Sequence, residues 1–106
     1  MDALSHLYPY EKDVMLNVLY DTLDSIGFRI EHANSERGTI IAVSSSPSQR
    51  SMRIALNGVP LKGESVISIF PEIEDDIGKQ LSKVLFDEIA STIKQSIDRY
   101  DTTKPG

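Results

Sequence analysis

Residues 52–70, Met52-Arg53-Ile54-Ala55-Leu56-Asn57-Gly58-Val59-Pro60-Leu61-Lys62-Gly63-Glu64-Ser65-Val66-Ile67-Ser68-Ile69-Phe70, decide the fold. Met52, Ile54 and Leu56 alternate with Arg53, Ala55 and Asn57, the two-residue period of a strand with one buried face. Asn57 to Gly63 then interrupts the pattern with two glycines and a proline, and Glu64 to Phe70 resumes it until Pro71. This connection is far shorter than the roughly dozen residues a parallel crossover needs, so the two strands run antiparallel. In the second of them apolar side chains occupy both parities, which leaves the inward face of Val66–Phe70 open.

Upstream, Phe28-Arg29-Ile30-Glu31-His32 alternates with Phe28 and Ile30 on one face and Arg29 and Glu31 on the other. Asn34-Ser35-Glu36-Arg37-Gly38 forms the hairpin connection, and Thr39-Ile40-Ile41-Ala42-Val43, β-branched and apolar, suits a central strand. Ser44-Ser45-Ser46-Pro47-Ser48-Gln49-Arg50-Ser51 holds five serines in eight residues and reads as a mobile loop inside the domain.

Helical patterns flank the four strands. From Pro9 or Tyr10 to Ile26, the residues Met15, Leu19, Leu23 and Ile26 form one stripe, widened by Leu16 and Val18, and Gly27 supplies the stop. Tyr8 and Tyr10 cover the start of this helix as an apolar staple. From Asp76 or Ile77 to Arg99 the apolar residues step by four: Ile77, Leu81, Leu85, Ile89, Ile93, Ile97. A step of four overshoots the 3.6-residue turn, so the stripe winds around the helix. Asp76 is the expected N-cap.

The expected architecture is α+β: a single four-stranded antiparallel meander with N- and C-terminal helices on one face, in the order αββββα. It forms one domain over residues 1–106, with a folded core at about 8–99 and a flexible tail at 100–106. The opposite sheet face carries Arg29, Glu31, Arg53, Ala55 and Asn57 and is left bare.

The composition fits this layout. The chain has 106 residues, 40% of them hydrophobic and 25% charged, with 16 acids, 11 bases and no cysteine. One domain of this length can bury roughly two-thirds of its unfolded surface, and the absence of cysteine excludes disulfide scaffolds, thiolate metal sites and cysteine nucleophiles. The N-terminus has no basic region followed by an apolar stretch, so a cytoplasmic location is expected and no membrane association. Residues 29–63 hold five bases and two acids; residues 1–28 hold one base and five acids, and residues 64–106 five bases and nine acids. Basic charge therefore falls on the sheet and acidic charge on the helices.

Gly27-Phe28-Arg29-Ile30 followed by Gly38-Thr39-Ile40-Ile41-Ala42 resembles a pattern in small prokaryotic α-β-β-β-β-α domains, similar to the helix-grip or TATA-binding-protein-like modules of the outer-membrane-assembly lipoprotein BamC. The resemblance covers about residues 8–99 and implies a binding or scaffolding module. It carries no catalytic residues across. The lipoprotein signal and lipidated cysteine of that family are absent here, so no envelope role is implied.

Candidate chemistry is sparse. Arg29, Ser46, Ser48, Arg50 and Arg53 offer hydroxyls and guanidinium forks to an anion or partner, although no Gly-rich cradle accompanies them. Glu72, Glu74, Asp75 and Asp76 crowd a helix start, where the dipole favours negative charge, without the interspersed glycine and carbonyl ligands of a metal loop. His32 continues the Phe28–Ile30 face as a partly buried structural histidine, and His6 lies in a loose terminus. No triad or nucleophile elbow is present, so neither catalysis nor a metal or other cofactor is called for. Nucleic acid is disfavoured by the lack of outward aromatic residues and by a pI near 4.9. The expected function is a non-enzymatic binding module that uses the open sheet face and the 44–53 loop, with a protein partner or self-association. The alternative is a small-molecule or anion-binding domain with a cleft between the sheet and the C-terminal helix.

Overall fold

A computed structural model describes residues 4–45 and 49–103, with side chains through Ser96. The order is β1 (Leu4–Tyr8), α1 (Lys12–Ser25), β2 (Arg29–Asn34), β3 (Thr39–Val43), β4 (Ser51–Val59), β5 (Glu64–Pro71) and α2 (Asp76–Thr103). All strand pairs are antiparallel, in the spatial order β1-β5-β4-β3-β2. The fold is the α+β sheet-and-helix arrangement expected, with five strands rather than four.

The additional strand is β1. Its only inward residues are Leu4, His6 and Tyr8, and a histidine at the centre hides the alternation. Its pairing with β5 (Leu4 opposite Ile69, Tyr8 opposite Ser65) joins segments some sixty residues apart, which no local pattern reports. Strands β2 to β5 remain a meander.

The β4–β5 register fixes the facing that the sequence left open. Leu56 lies opposite Ile67 and Ile54 opposite Ile69, so Val66, Ser68 and Phe70 point away from the helices. The core joins Ile40 and Ala42 of β3, Met52, Ile54 and Leu56 of β4, and Ile67 and Ile69 of β5 to residues of both helices. α1 contributes Met15, Val18, Leu19 and Leu23, and α2 contributes Leu85, Phe86 and Ile89. Both helices thus cover one face. Between them the Thr22 hydroxyl lies 2.7 Å from both the Val18 carbonyl oxygen and the Thr92 hydroxyl, and Thr92 donates to the Glu88 carbonyl. That chain satisfies a buried hydroxyl where two helices meet.

Several boundaries move. α1 begins at Lys12 rather than at Pro9 or Tyr10, with Glu11 at its N-cap and no side-chain cap bond, and Tyr8 is a buried strand residue rather than a staple. Burial pushes the Tyr8 phenol up to about 12. α1 closes as expected at Gly27, where the Phe28 N–H reaches the Leu23 carbonyl at 2.9 Å. α2 is capped by Asp75 instead of Asp76: its Oδ1 accepts the Gly78 N–H at 2.8 Å. The helix continues to Thr103, so residues 100–103, expected in the tail, are helical; residues 104–106 lie outside the described residues.

The winding stripe of α2 is only partly buried. Leu85 and Ile89 are fully enclosed, while Ile77 is 41% exposed and Phe86 enters the core in its place. Residues four apart drift about 40° per step, so a straight helix cannot keep all of them on one core.

Candidate functional site

The uncovered face is ordered in rows across the strands. One row runs Phe70–Arg53–Ile41–His32 over β5, β4, β3 and β2. The Arg53 guanidinium carbon sits 4.1 Å from the centre of the Phe70 ring, a cation–π contact across the non-covered side of the β4–β5 pair. A second row, Ser5–Ser68–Ala55–Thr39–Asn34, crosses all five strands and is tied by a 2.7 Å hydrogen bond between the Ser5 and Ser68 hydroxyls. Leu7 and Val66 lie beyond it, Leu7 with 60% of its surface exposed. A shallow hollow of about 400 Å³ on this side is lined by Ile41, Arg53, Phe70 and Pro71, among others.

His32 belongs to this face because the β2–β3 register shifts between Ile30 and His32. The bulge consumes Glu31 and reverses the parity of the strand residues after it. The expectation of a partly buried His32 sharing the Phe28–Ile30 side is therefore overturned: it is exposed, opposite Ile41.

The five candidate binding residues separate. Arg53 and Arg29 are on the open face, two strands apart, with Arg29 paired to Glu31 at 2.9 Å. Arg50 turns the other way: its Nη1 lies 3.0 Å from both carboxylate oxygens of Asp75, and its side chain is only 19% exposed. The Gly78 N–H and then the Arg50 guanidinium hold the Asp75 carboxyl below the usual carboxylate range. Ser46 and Ser48 lie outside the described residues. The neck of their loop is closed by Ser44, whose N–H donates to the Arg50 carbonyl at 2.9 Å and whose hydroxyl accepts the Arg50 N–H at 3.1 Å.

A second concavity, about 370 Å³, opens between β1, β5 and the first turns of α2. Leu4, Ile69 and Pro71 form apolar walls, and Lys79, Ser82 and Lys83 stand along the helix side, with Glu74 at the rim. Sequence reasoning placed a cleft between the sheet and the C-terminal helix but named none of these residues, because β1 was missing from it.

Among the described residues no cluster of three or more His, Asp or Glu is placed to hold a metal ion, and no helix is long and apolar enough to cross a membrane. No protein-family model and no curated protein matches the chain.

Proposed function

We propose that the chain is a non-enzymatic binding module that presents its uncovered sheet face to a protein partner. The observation that carries this reading is the Phe70–Arg53–Ile41–His32 row, an arginine laid on an aromatic ring beside the half-buried Ile41. Arginine and aromatic residues anchor interfaces because they combine large contact area with directional polar groups. With Arg29 paired to Glu31, Arg53 supplies positive charge to the face, which favours a partner surface that mixes acidic and apolar groups. Nucleic acid is disfavoured, since Phe70 already carries Arg53 on its ring and the whole chain has a net charge of −5. A binding or scaffolding role is also what the helix-grip resemblance implies, and the two helices flanking a meander support it; β1 is an addition to that pattern. A cytoplasmic setting accords with this reading.

Site-specific photo-crosslinking in the producing cell tests the proposal. A photoreactive residue at Ile41 is expected to capture a discrete partner that the same residue at Asp21, on the helical side, does not. Arg53→Glu should abolish the adduct. Equal capture at both positions, or an adduct indifferent to Arg53→Glu, would reject the reading.

The cleft beside α2 favours a second reading, an anion-binding site for a ligand with a short apolar body, held by Lys79 and Lys83. A thermal-shift screen of phosphorylated and carboxylated metabolites should then yield hits that Lys79→Ala and Lys83→Ala remove.

A further inference from the structure

The sheet has two unlike edges. β2 is guarded: Arg29 and Glu31 put charge on it, and the register shift bends it out of plane, devices that discourage strand addition. β1 has none of them. Leu4-Ser5-His6-Leu7-Tyr8 contains no Asp, Glu, Lys, Arg or proline, and it pairs with β5 in unbroken register. No strand among the described residues covers its outer edge, so one row of its N–H and C=O groups faces outward unpaired by sheet.

We propose that β1 is a homodimerisation edge, where a second copy of this chain adds its own β1 antiparallel about a two-fold axis at His6. The occupant is argued from the strand itself. With His6 opposite His6 of the second copy, Leu4 meets Tyr8 and Ser5 meets Leu7. Every pair is free of like formal charge, and the two faces of the strand stay matched across the join. Leu4, His6 and Tyr8 continue the helix-covered side, where His6 stacks on Phe86 at 4.0 Å between ring centres. Leu7 gains a neighbour on the open side. α2 makes its main sheet contacts on β5 and reaches β1 through the Phe86–His6 stack. The two copies of β5 would stand about three strand spacings apart, roughly 14 Å, which is wider than helices in contact. The helix backbones therefore need not collide, and Phe86, stacked on His6, lies beside the join. The product is one continuous sheet of two five-stranded halves with all four helices on the same side. A five-residue ladder buries little area, so the dimer is expected to exchange readily.

The natural absence of cysteine makes the register directly testable. Facing residues in an antiparallel pair have Cα atoms about 4.5–5.5 Å apart, within the disulfide range of about 4.4–6.8 Å. His6→Cys should give a covalent dimer on mild oxidation. Ser5→Cys alone should not, while the double variant Ser5→Cys, Leu7→Cys should. His32→Cys, at the guarded edge, should stay monomeric. Sedimentation of the unmodified chain should show concentration-dependent dimerisation, weakened at least tenfold by His6→Lys, which sets like charges on the axis while circular dichroism confirms the fold. Arg53→Glu should leave dimerisation unchanged, which keeps this inference separable from the open-face reading. A strict monomer across the concentration range overturns it, since the edge is then free or serves some other strand. Cross-linking of His32→Cys or Ser5→Cys as fast as His6→Cys overturns it as well.

Discussion

Gly38 shows how much a single position can be asked to do. Its N–H donates to the Asn34 carbonyl at 2.8 Å, its carbonyl accepts the Leu56 N–H at 2.6 Å, and its φ is +73°. A Cβ there would strike the Leu56 carbonyl oxygen. Gly38→Ala is expected to lose at least about 1–2 kcal/mol for the left-handed backbone alone, and more for the collision; urea denaturation measures it. Asp75 is the second such residue. Its folded pKa is depressed, so the stability it contributes is present above the ordinary carboxylate range and is lost as pH falls through the folded value. Asp75→Asn keeps an acceptor for the Gly78 N–H but removes the ion pair with Arg50. The variant's melting temperature should therefore fall less steeply than that of the parent between neutral and acidic pH, as calorimetry across that range would show. The outward placement of Arg53 was legible in the alternation of Met52–Asn57. That of Arg50 was not, because its partner lies 25 residues downstream and the pairing depends on how α2 begins.

At the scale of elements, α1 was readable almost entirely, since its stripe follows the 3.6-residue period and faces one core. The sheet was readable where strands adjoin in sequence and unreadable where they do not. β1 escaped because His6 occupies the middle of its inward face, and the facing of β5 escaped because both parities are apolar. Counting back from the Val59–Glu64 pair that closes the four-residue turn would have placed Ile67 opposite Leu56. The bulge in β2 has no sequence signal in a run that alternates cleanly, so the facing of His32 was misjudged. In α2 the step of four overstates the buried set. Leu85→Ala should cost about 2–5 kcal/mol because its side chain is fully enclosed. Ile77→Ala should cost within about 0.5 kcal/mol, as at ordinary surface positions. Equal losses in chemical denaturation would show that the stripe is buried along its whole length.

Taken whole, the molecule is two layers, helices over a sheet whose interior strands β5, β4 and β3 are flanked on both sides. Amide hydrogen exchange should be slowest in β4 and β5 and fastest in β2, the exposed edge. Protection of β2 equal to that of β4 would mean that the guarded edge is covered in solution. The layering and the β2 edge were legible from the order of amphipathic segments; the opposite edge was not, because it depends on pairing between the chain's start and its fifth strand. The layers also divide the charge, with Arg53 on the bare side, where Arg29 is paired to Glu31, and Asp13, Asp21, Asp24 and Asp87 exposed on the helical side. Such a body has a dipole moment running through its thickness. In the field of a polyanion it experiences a torque before any contact forms, and it turns arginine-first. Encounters are thus sorted by orientation, and added salt should slow productive docking without altering the docked state.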